Sequence, residues 1–577
     1  MTLLNLLCIA AASAAPLEFA IPLDIASAAH TYDGHGGLSS GGTSRLLLDY
    51  PEPYLSQILD YLFLPSFGAS TQMLKVEVPG DGDSTSGTEP SHMHTRDDLS
   101  CTRGYESWLV KQAKQRNPAL RVYGLPWTVP AWVGSEGGGY YSADNIAYQT
   151  AWVSCMKNVT GYDVDFLGLW NEKPQPTSPS YVLALRAALD AAGAQATKIM
   201  VMDGGFDSAT VAMAQANATF RAAVHGAGVH YPCALQQPEI QGQLGWAYWA
   251  AEDFSELPDW AGASAWAQAL SQHYVVNNMT ATLAWALLWS TYMGLAGTNG
   301  KDSGMGLMTA FEPWSGHYDV SAPVWVTAHW TQFASPGWRF LSVPGNGSGL
   351  LPAVQPQQQQ QAPLPIGGTY VTLTDAASGG LSIIVETTQS PGRCASQLPR
   401  APVDYLLRFT QPSQPYYLPP GTQLHAWRTN ASSLFQPSPG CTVGPDGSFE
   451  LAVPADSLLT LSTVGSARHG AFAAPPPPQA CPSPCPTLTT SPPTPLMPAP
   501  ATSATWGAPG LCAAAPCSRW LLQTMARTPG LLALGPPPCW ALWPWPTTAC
   551  RLCCDSAAAR PWGSPPAPPP PPRLWAM

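Results

Sequence analysis

Two glutamates end apolar runs in the first half of the chain, and their spacing is the strongest chemical signal in the sequence. One run, Val164-Asp-Phe-Leu-Gly-Leu, leads into Trp170-Asn171-Glu172; the other, Trp246-Ala-Tyr-Trp-Ala-Ala, leads into Glu252-Asp253-Phe254. An apolar run that stops at a carboxylate reads as a buried strand ending at a solvent-facing side chain, which is where (β/α)8 barrels place their chemistry. The two glutamates lie 80 residues apart. That is close to three β/α units of about 25 to 30 residues each, the spacing expected of strands four and seven of such a barrel. Two convergent carboxylates suit cleavage of a glycosidic bond with retention. One protonates the leaving oxygen while the other attacks the anomeric carbon, at a separation of about 5 to 5.5 Å. Glu172, beside the apolar wall of Trp170, reads as the acid/base, Glu252 reads as the nucleophile, and Asn171 is placed to bond a sugar 2-hydroxyl. One glutamate after an apolar run is more often a helix cap or a solvated turn; the pair at this spacing carries the reading.

Trp127, Trp249 and Trp285 fall near other strand ends, where an indole either stacks on a sugar face or packs in the core. The polar stretch 81–92 follows another strand-like run and reads as a ligand-facing loop. Its carboxylates are not at the spacing of a calcium-binding EF-hand loop, and neither a metal nor a cofactor is expected.

Strand-like runs at 72–78, 120–125, 164–170, 198–202, 228–231, 244–250 and 283–288 alternate with helix-like segments at 53–63, 104–114, 181–192 and 261–276. With the Gly-rich stretch 33–42 as first strand and turn, residues 31–335 hold about eight β/α units, which predicts a (β/α)8 TIM barrel. A doubly wound open sheet is the alternative. Beyond residue 336 the texture changes through a Gln-rich linker at 355–361. Short runs at 369–374, 381–387, 405–409, 423–428 and 449–453 then predict a small β-sandwich over 336–465. Residues 466–577 contain no lysine and a single acidic residue, Asp555, among Pro, Ala, Cys and Trp. Proline blocks both ladders and helix interiors, so this low-complexity tail is expected to be disordered or the product of a mispredicted reading frame.

Charged residues make up only 11% of the chain, against about 25% in ordinary soluble domains. A net charge of −11, with no dense cluster among the 25 Lys and Arg, argues against nucleic acid as a partner. Residues 1–15 read as a signal peptide, an apolar run followed by Ala-Ser-Ala-Ala without a positive leading region. Sequons at Asn158, Asn217, Asn278, Asn346 and Asn430 suit a glycosylated, secretory-route protein. No uninterrupted apolar run reaches the length of a membrane span. Of 14 cysteines, Cys101, Cys155, Cys233, Cys394 and Cys441 lie in the body of the chain, with room for one or two disulfides of unspecified pairing and no Cys-x-x-Cys zinc pattern.

These residues resemble the galactocerebrosidases, or galactosylceramidases, of glycoside hydrolase family 59. The resemblance runs through Gly41-Gly-Thr-Ser-Arg-Leu-Leu-Leu-Asp-Tyr-Pro-Glu-Pro-Tyr54, Thr88-Glu-Pro-Ser-His-Met-His94, Gly124-Leu-Pro-Trp127 and Trp170-Asn-Glu172. It continues through His230-Tyr-Pro232, Glu252-Asp-Phe-Ser255 and Glu312-Pro-Trp-Ser-Gly-His-Tyr318. It implies a barrel plus β-sandwich and retaining hydrolysis of galactosylceramide and related β-galactosyl sphingolipids in a lysosomal, vacuole-like or secreted setting. Glu172 would be proton donor and Glu252 nucleophile, with Thr85, Trp127 and Asn171 contacting galactose and Trp285 lining the pocket. The family's sugar-binding arginine, two residues after a cysteine matching Cys394, falls on Ser396, leaving Arg393 or Arg400 as substitutes. That cysteine's family partner falls on Ala265, so the corresponding disulfide should be absent. The family's C-terminal lectin-like domain, which meets saposin-type lipid carriers, has no recognisable counterpart in 466–577. The competing readings are a retaining β-galactosidase for another galactolipid or a galactan, and a carbohydrate-binding protein without turnover.

Overall fold

The computed structural model describes residues 15–478 apart from 41, 83, 85, 86, 174, 175, 255, 256, 291–305, 355–364 and 413. The expected signal peptide, the Gln-rich linker, Thr85 and the tail beyond 478 therefore lie outside the described residues, save for their few flanking positions.

Twenty-two strands are described. In chain order they begin with β1 (Leu17–Pro22), β2 (Ala28–Thr31), β3 (Gly34–Ser39), β4 (Met73–Val78), β5 (Arg121–Pro126), β6 (Phe166–Gly168) and β7 (Lys198–Gly204). Next come β8 (Val224–His230), β9 (Ala247–Phe254), β10 (Ala281–Trp285), β11 (Leu288–Trp289), β12 (Met308–Glu312) and β13 (His317–Asp319). The last nine are β14 (Arg339–Leu341), β15 (Gly349–Pro352), β16 (Ile366–Asp375), β17 (Gly380–Glu386), β18 (Tyr405–Thr410), β19 (Gln423–Asn430), β20 (Ser433–Thr442), β21 (Phe449–Val453) and β22 (Leu458–Ser462). The helices are α1 (Tyr54–Phe63), α2 (Glu106–Arg116), α3 (Ala143–Thr160), α4 (Pro179–Ala191), α5 (Ser208–Ala216), α6 (Ala218–Ala223), α7 (Pro238–Gly242), α8 (Trp260–Asn277) and α9 (Ala322–Thr331).

Strands β3 to β10 pair in parallel and close on themselves, β10 bonding to both β9 and β3. This is the eight-stranded barrel the alternating pattern predicts, and closure excludes the open sheet. The period-2 alternation of a strand sorts its side chains between two cores. On β4, Leu74, Val76 and Val78 join the layer beneath the helices, while Met73 points into the barrel with Tyr123, Phe166, Met200, Trp249 and Leu283. Lys75 and Glu77, on the same inward face, are fully buried. Nearer the mouth, Leu38, Leu125, Trp127, Trp285, Ala286 and Trp289 form a separate aromatic layer. The apolar run 164–170 yields only the short β6, because the chain turns outward after Gly168 toward Glu172, whose φ of 49° is left-handed. The longest helix missed by periodicity, α3, starts on a Ser142 side chain that accepts from the Asn145 amide and stops at left-handed Gly161.

The second layer system is a sandwich of an eight-stranded sheet against the three strands β1, β18 and β21. Its core includes Ile21 of β1, Ile383 and Val385 of β17, Leu407 of β18 and Phe449 of β21. Its chain is discontinuous. β1 pairs in parallel with β18, and β2 pairs with β14, so the segment before the barrel belongs to the sandwich. Helices α8 and α9 join the two parts. Trp260 Nε1 donates to Asp456 Oδ2 at 3.0 Å, and His329 lies 2.8 Å from the hydroxyls of both Thr460 and Thr429. No described helix is long and apolar enough to cross a membrane.

Candidate active site

Glu172 and Glu252 meet at the C-terminal mouth of the barrel, Glu172 beyond β6 and Glu252 on β9, the fourth and seventh barrel strands. His230, the last residue of β8, stands between them. Its Nδ1 is 2.9 Å from Glu172 Oε1 and 3.6 Å from Glu252 Oε2. One ligating atom from each of these three side chains lies within 4.8 Å of the others. One oxygen of each carboxylate thus lies within reach of the other, in keeping with the about 5 to 5.5 Å separation of retaining pairs rather than the about 6.5 to 9.5 Å of inverting ones. The same three groups are the described residues whose donors cluster tightly enough to hold a metal ion, although His230 Nδ1 is already engaged with Glu172.

The two carboxylates sit in unlike surroundings. Glu172 is half exposed, whereas Glu252 is buried and accepts a hydrogen bond on Oε1 from the Tyr231 hydroxyl. Glu252 Oε2 has no hydrogen-bond partner among the described residues. The backbone is strained where it presents these groups: Glu172 (φ 49°), Tyr231 (φ 51°) and Met202 (φ 73°) are left-handed without being glycine. Compensating bonds hold them, from the Glu172 amide to Asp203 O at 2.7 Å and from the Tyr231 amide to Glu252 O at 2.8 Å.

Beneath the mouth runs a charged chain that the sequence does not disclose. Lys75 Nζ donates to Asp203 Oδ1 at 3.1 Å and to Ala251 O at 3.0 Å, and Tyr123 donates to Asp203 Oδ2 at 2.5 Å. Burial alone would raise the Asp203 carboxyl; the Lys75 charge, the nearby His230 imidazole 3.9 Å away and the bond from Tyr123 outweigh it and hold the group below its ordinary range. Burial likewise works against a charged His230, yet Glu252, Asp203 and Glu172 together hold its imidazole above the usual value. The hydrogen bond from His230 is the main reason that Glu172 lies below the ordinary carboxyl range, with Lys75 and Lys173 adding to it.

Of the other residues singled out in the sequence, Trp127 and Trp285 sit together in the mouth layer, Trp127 with Lys75 Nζ 5.5 Å from its ring centre. Asn171 is buried beside Glu172, its amide bonded to Pro126 O at 2.8 Å and its Oδ1 unpaired among the described residues. Trp249, by contrast, is in the deep layer, with Nε1 bonded to Asp33 Oδ2 at 2.8 Å, and is core. Thr85 lies outside the described residues. Four residues further on, Glu89 is buried, and its Oε1 accepts from the amides of Tyr105 and Glu106 at 2.6 and 3.1 Å. Burial, reinforced by the Glu77 charge, pushes the Glu89 carboxyl up to about 8, and burial and Glu89 raise Glu106 as well.

The two candidate arginines lie in different places. Arg400 forms a buried pair with Glu386 in the sandwich, at 2.7 and 2.9 Å. Arg393 reaches the barrel mouth and pairs with Asp253 Oδ2 at 2.9 Å. Cys394 is not left single by the alanine at position 265, because it pairs with Cys233; Cys101 pairs with Cys155, and Cys441 is free among the described residues.

The Glycosyl hydrolase family 59 model matches residues 32–332, the whole barrel. The chain belongs to that family. It is 40% identical over 468 residues to a galactocerebrosidase of Danio rerio, covering 78% of this chain and 65% of that one. It is 39% identical over 469 residues to the galactocerebrosidase of Homo sapiens, covering 78% and 63%. The chain therefore spans just under two thirds of the length of these curated relatives. Among solved structures it resembles the catalytic domain of GH30 xylanase C from Talaromyces cellulolyticus, with a TM-score of 0.56 at 16% identity over 77% of this chain and 99% of that one. The family 30 subfamily 8 xylanase of Clostridium acetobutylicum gives 0.54 at 17%, covering 76% and 98%. At that identity the likeness is one of fold: a barrel with a β-sandwich.

Proposed function

We propose that this family 59 chain is a retaining β-galactosidase whose substrates are galactosylceramide and related galactosphingolipids. The observation that carries the reading is the approach of the Glu172 and Glu252 oxygens to within 4.8 Å at the mouth of the barrel, a separation suited to a covalent glycosyl-enzyme intermediate. Glu252 Oε2 attacks the anomeric carbon while the Tyr231 hydroxyl steadies Oε1. Glu172, on the solvent side, protonates the departing oxygen and later activates water. The acid must carry a proton; the hydrogen bond from His230, 2.9 Å away, holds Glu172 below the ordinary carboxyl range, while Glu252, Asp203 and Glu172 hold His230 above its own. His230 is thus the reservoir that protonates Glu172 as the glycosidic oxygen takes the place of the imidazole. Asn171 Oδ1, buried without a partner among the described residues, suits the sugar 2-hydroxyl, and Trp127 and Trp285 suit its apolar face. The galactose and the sphingolipid aglycone come from the likeness to galactocerebrosidases. An acidic, lysosome-like setting suits the buried carboxyls Glu89 and Glu106, which keep their protons there.

The test is galactose release from galactosylceramide and from an activated aryl β-galactoside at mildly acidic pH, with the product followed by proton NMR. β-Galactose as first product supports the reading; α-galactose first, or no release from either substrate, overturns it. Release from the aryl galactoside but not from the lipid moves the aglycone to another galactolipid or a galactan.

A further inference from the structure

Arg393 is engaged almost entirely by the protein. Its Nη1 donates to Tyr231 O at 2.5 Å, its Nη2 donates to Pro232 O at 3.2 Å and to Asp253 Oδ2 at 2.9 Å, and its guanidinium lies 5.6 Å from the centre of the Tyr231 ring. The same Asp253 oxygen lies 3.0 Å from His273 Nε2. The Tyr231 ring stacks on Phe254, and its hydroxyl donates to Glu252. Two of the Arg393 bonds thus go to carbonyls of the short segment 230–233, which carries both His230 and Tyr231, and the third goes to Asp253, the residue after Glu252.

The next residue, Cys394, is bonded to Cys233, two positions beyond Tyr231. The loop bearing Arg393 also passes over Ala265 on α8, where a Cβ placed on Gly392 would stand 3.5 Å from the Ala265 Cα. The loop therefore lies against the helix carrying the position at which the family resemblance places the partner cysteine, but its staple runs to the segment that holds Tyr231. We propose that Arg393, stapled by the Cys233–Cys394 disulfide, is a positioning residue that fixes Tyr231 and through it the Glu252 carboxylate, so that a sandwich loop sets the geometry of attack in the barrel. A guanidinium suits this task because its rigid fork holds two carbonyls and a carboxylate through two separate nitrogens, which a single ammonium nitrogen does not. The inference rests on the reading of Glu252 as nucleophile.

The experiment uses the full chain and a 2-deoxy-2-fluoro-β-galactosyl inactivator, comparing wild type, R393M, R393K and C233S/C394S. R393M is expected to inactivate about 10- to 100-fold more slowly, the range that an ångström-scale misplacement costs, with the inactivator's dissociation constant unchanged and partial rescue in R393K. R393M should have a smaller effect in the C233S/C394S background than alone, because one clamp has already been opened. Inactivation of R393M at the wild-type rate overturns the inference. So does a weakened dissociation constant at unchanged rate, which would make Arg393 a sugar ligand. Hydrogen exchange over 228–254 is read in the same proteins and should rise in R393M while 198–204 stays unchanged. If the wild type itself takes no label, the retaining reading falls, and exchange alone then decides: no change over 228–254 overturns the clamp.

Discussion

Lys75→Met breaks the one described ion pair whose two side chains are both completely buried, Lys75 with Asp203. Removing one partner of such a pair costs about 3 to 5 kcal/mol, since the remaining charge keeps its desolvation penalty and loses its Coulombic return. The pH dependence gives the cause away. In the wild type, burial would raise Asp203 but the Lys75 charge and its other partners prevail, so its folded-state value is depressed. Its contribution is therefore present above the unfolded value of about 3.9 and is lost only as pH falls through the lower folded value. In the variant the sign reverses. Burial without Lys75 lifts Asp203 above its unfolded value, the folded state retains a proton the unfolded state has released, and the deficit grows with pH by up to about 1.4 kcal/mol per unit above about pH 4. Urea unfolding of both proteins at pH 4.5, 5.5, 6.5 and 7.5, with the slopes of the transitions compared, measures this. A deficit under about 1 kcal/mol at pH 7.5 would refute the reasoning. So would a deficit independent of pH, which would mean that His230, with Nε2 3.9 Å from Asp203 Oδ1, takes over the role of Lys75.

The chemistry offers further tests. Glu252→Gln should abolish covalent labelling by a fluorinated galactosyl inactivator. Glu172→Gln should still label with an activated leaving group while slowing turnover of a poor one by about 10²- to 10⁴-fold, the usual worth of general acid–base catalysis; a label found on another carboxylate would reverse the roles. Tyr231→Phe removes the hydroxyl that donates to Glu252 and should lower kcat/KM by about 10- to 100-fold, the range that an ångström-scale misplacement of the nucleophile costs. Arg400→Met strands the buried Glu386. It should destabilise the protein by about 3 to 5 kcal/mol in urea titrations while leaving kcat per folded molecule intact, which separates Arg400 from Arg393. The Glu89 carboxyl, raised to about 8, binds a proton in the folded state that the unfolded state has lost above about pH 4.3. Stability should therefore fall between that pH and about 8, and Glu89→Gln should flatten the slope measured by urea midpoints.

What is legible in the sequence follows the range of each signal. Glu172 and Glu252 are readable because a strand's apolar run, its end and the repeat length of a β/α unit are all local. Lys75 carries a partial signal, a lysine within Met73-Leu-Lys-Val-Glu-Val78, where alternation puts Met73, Lys75 and Glu77 on one face. Nothing in that run names Asp203 as its partner, 128 residues on, since the pairing depends on which inward side chains share a layer across the closed barrel. The same ambiguity makes Trp249 indistinguishable from Trp127 and Trp285 in sequence: all three follow apolar runs, but only barrel depth separates core from mouth. His230 and Tyr231 stand in a family motif without a role, because a histidine between two carboxylates is recognisable only after both arrive. The choice between Arg393 and Arg400 is undecidable in sequence, as each has neighbours more than a hundred residues away or a partner on an adjacent strand.

The order of the chain explains why so much of the site depends on distant segments. Strands β1 and β2 precede the barrel, and β14 to β22 follow it, so the sandwich is assembled around a barrel inserted in its own sequence. Its sheets can pair fully only when the barrel has brought its two ends together, through β10 bonding to β3. The returning chain then delivers what the barrel lacks. It supplies partners for groups buried on α8 and α9, such as Gln268, bonded to Ser390 O at 2.8 Å, and His329, lowered to about 3 by burial and satisfied by two threonine hydroxyls. It also supplies Arg393 to the carbonyls behind Tyr231. Left alone, the barrel would hold Glu172 through His230 and Asp203, which lie on its own strands, but not the support behind Glu252. The two carboxylates therefore differ in provenance as well as in burial: the solvent-facing one is built by the barrel, and the buried one by barrel and sandwich together.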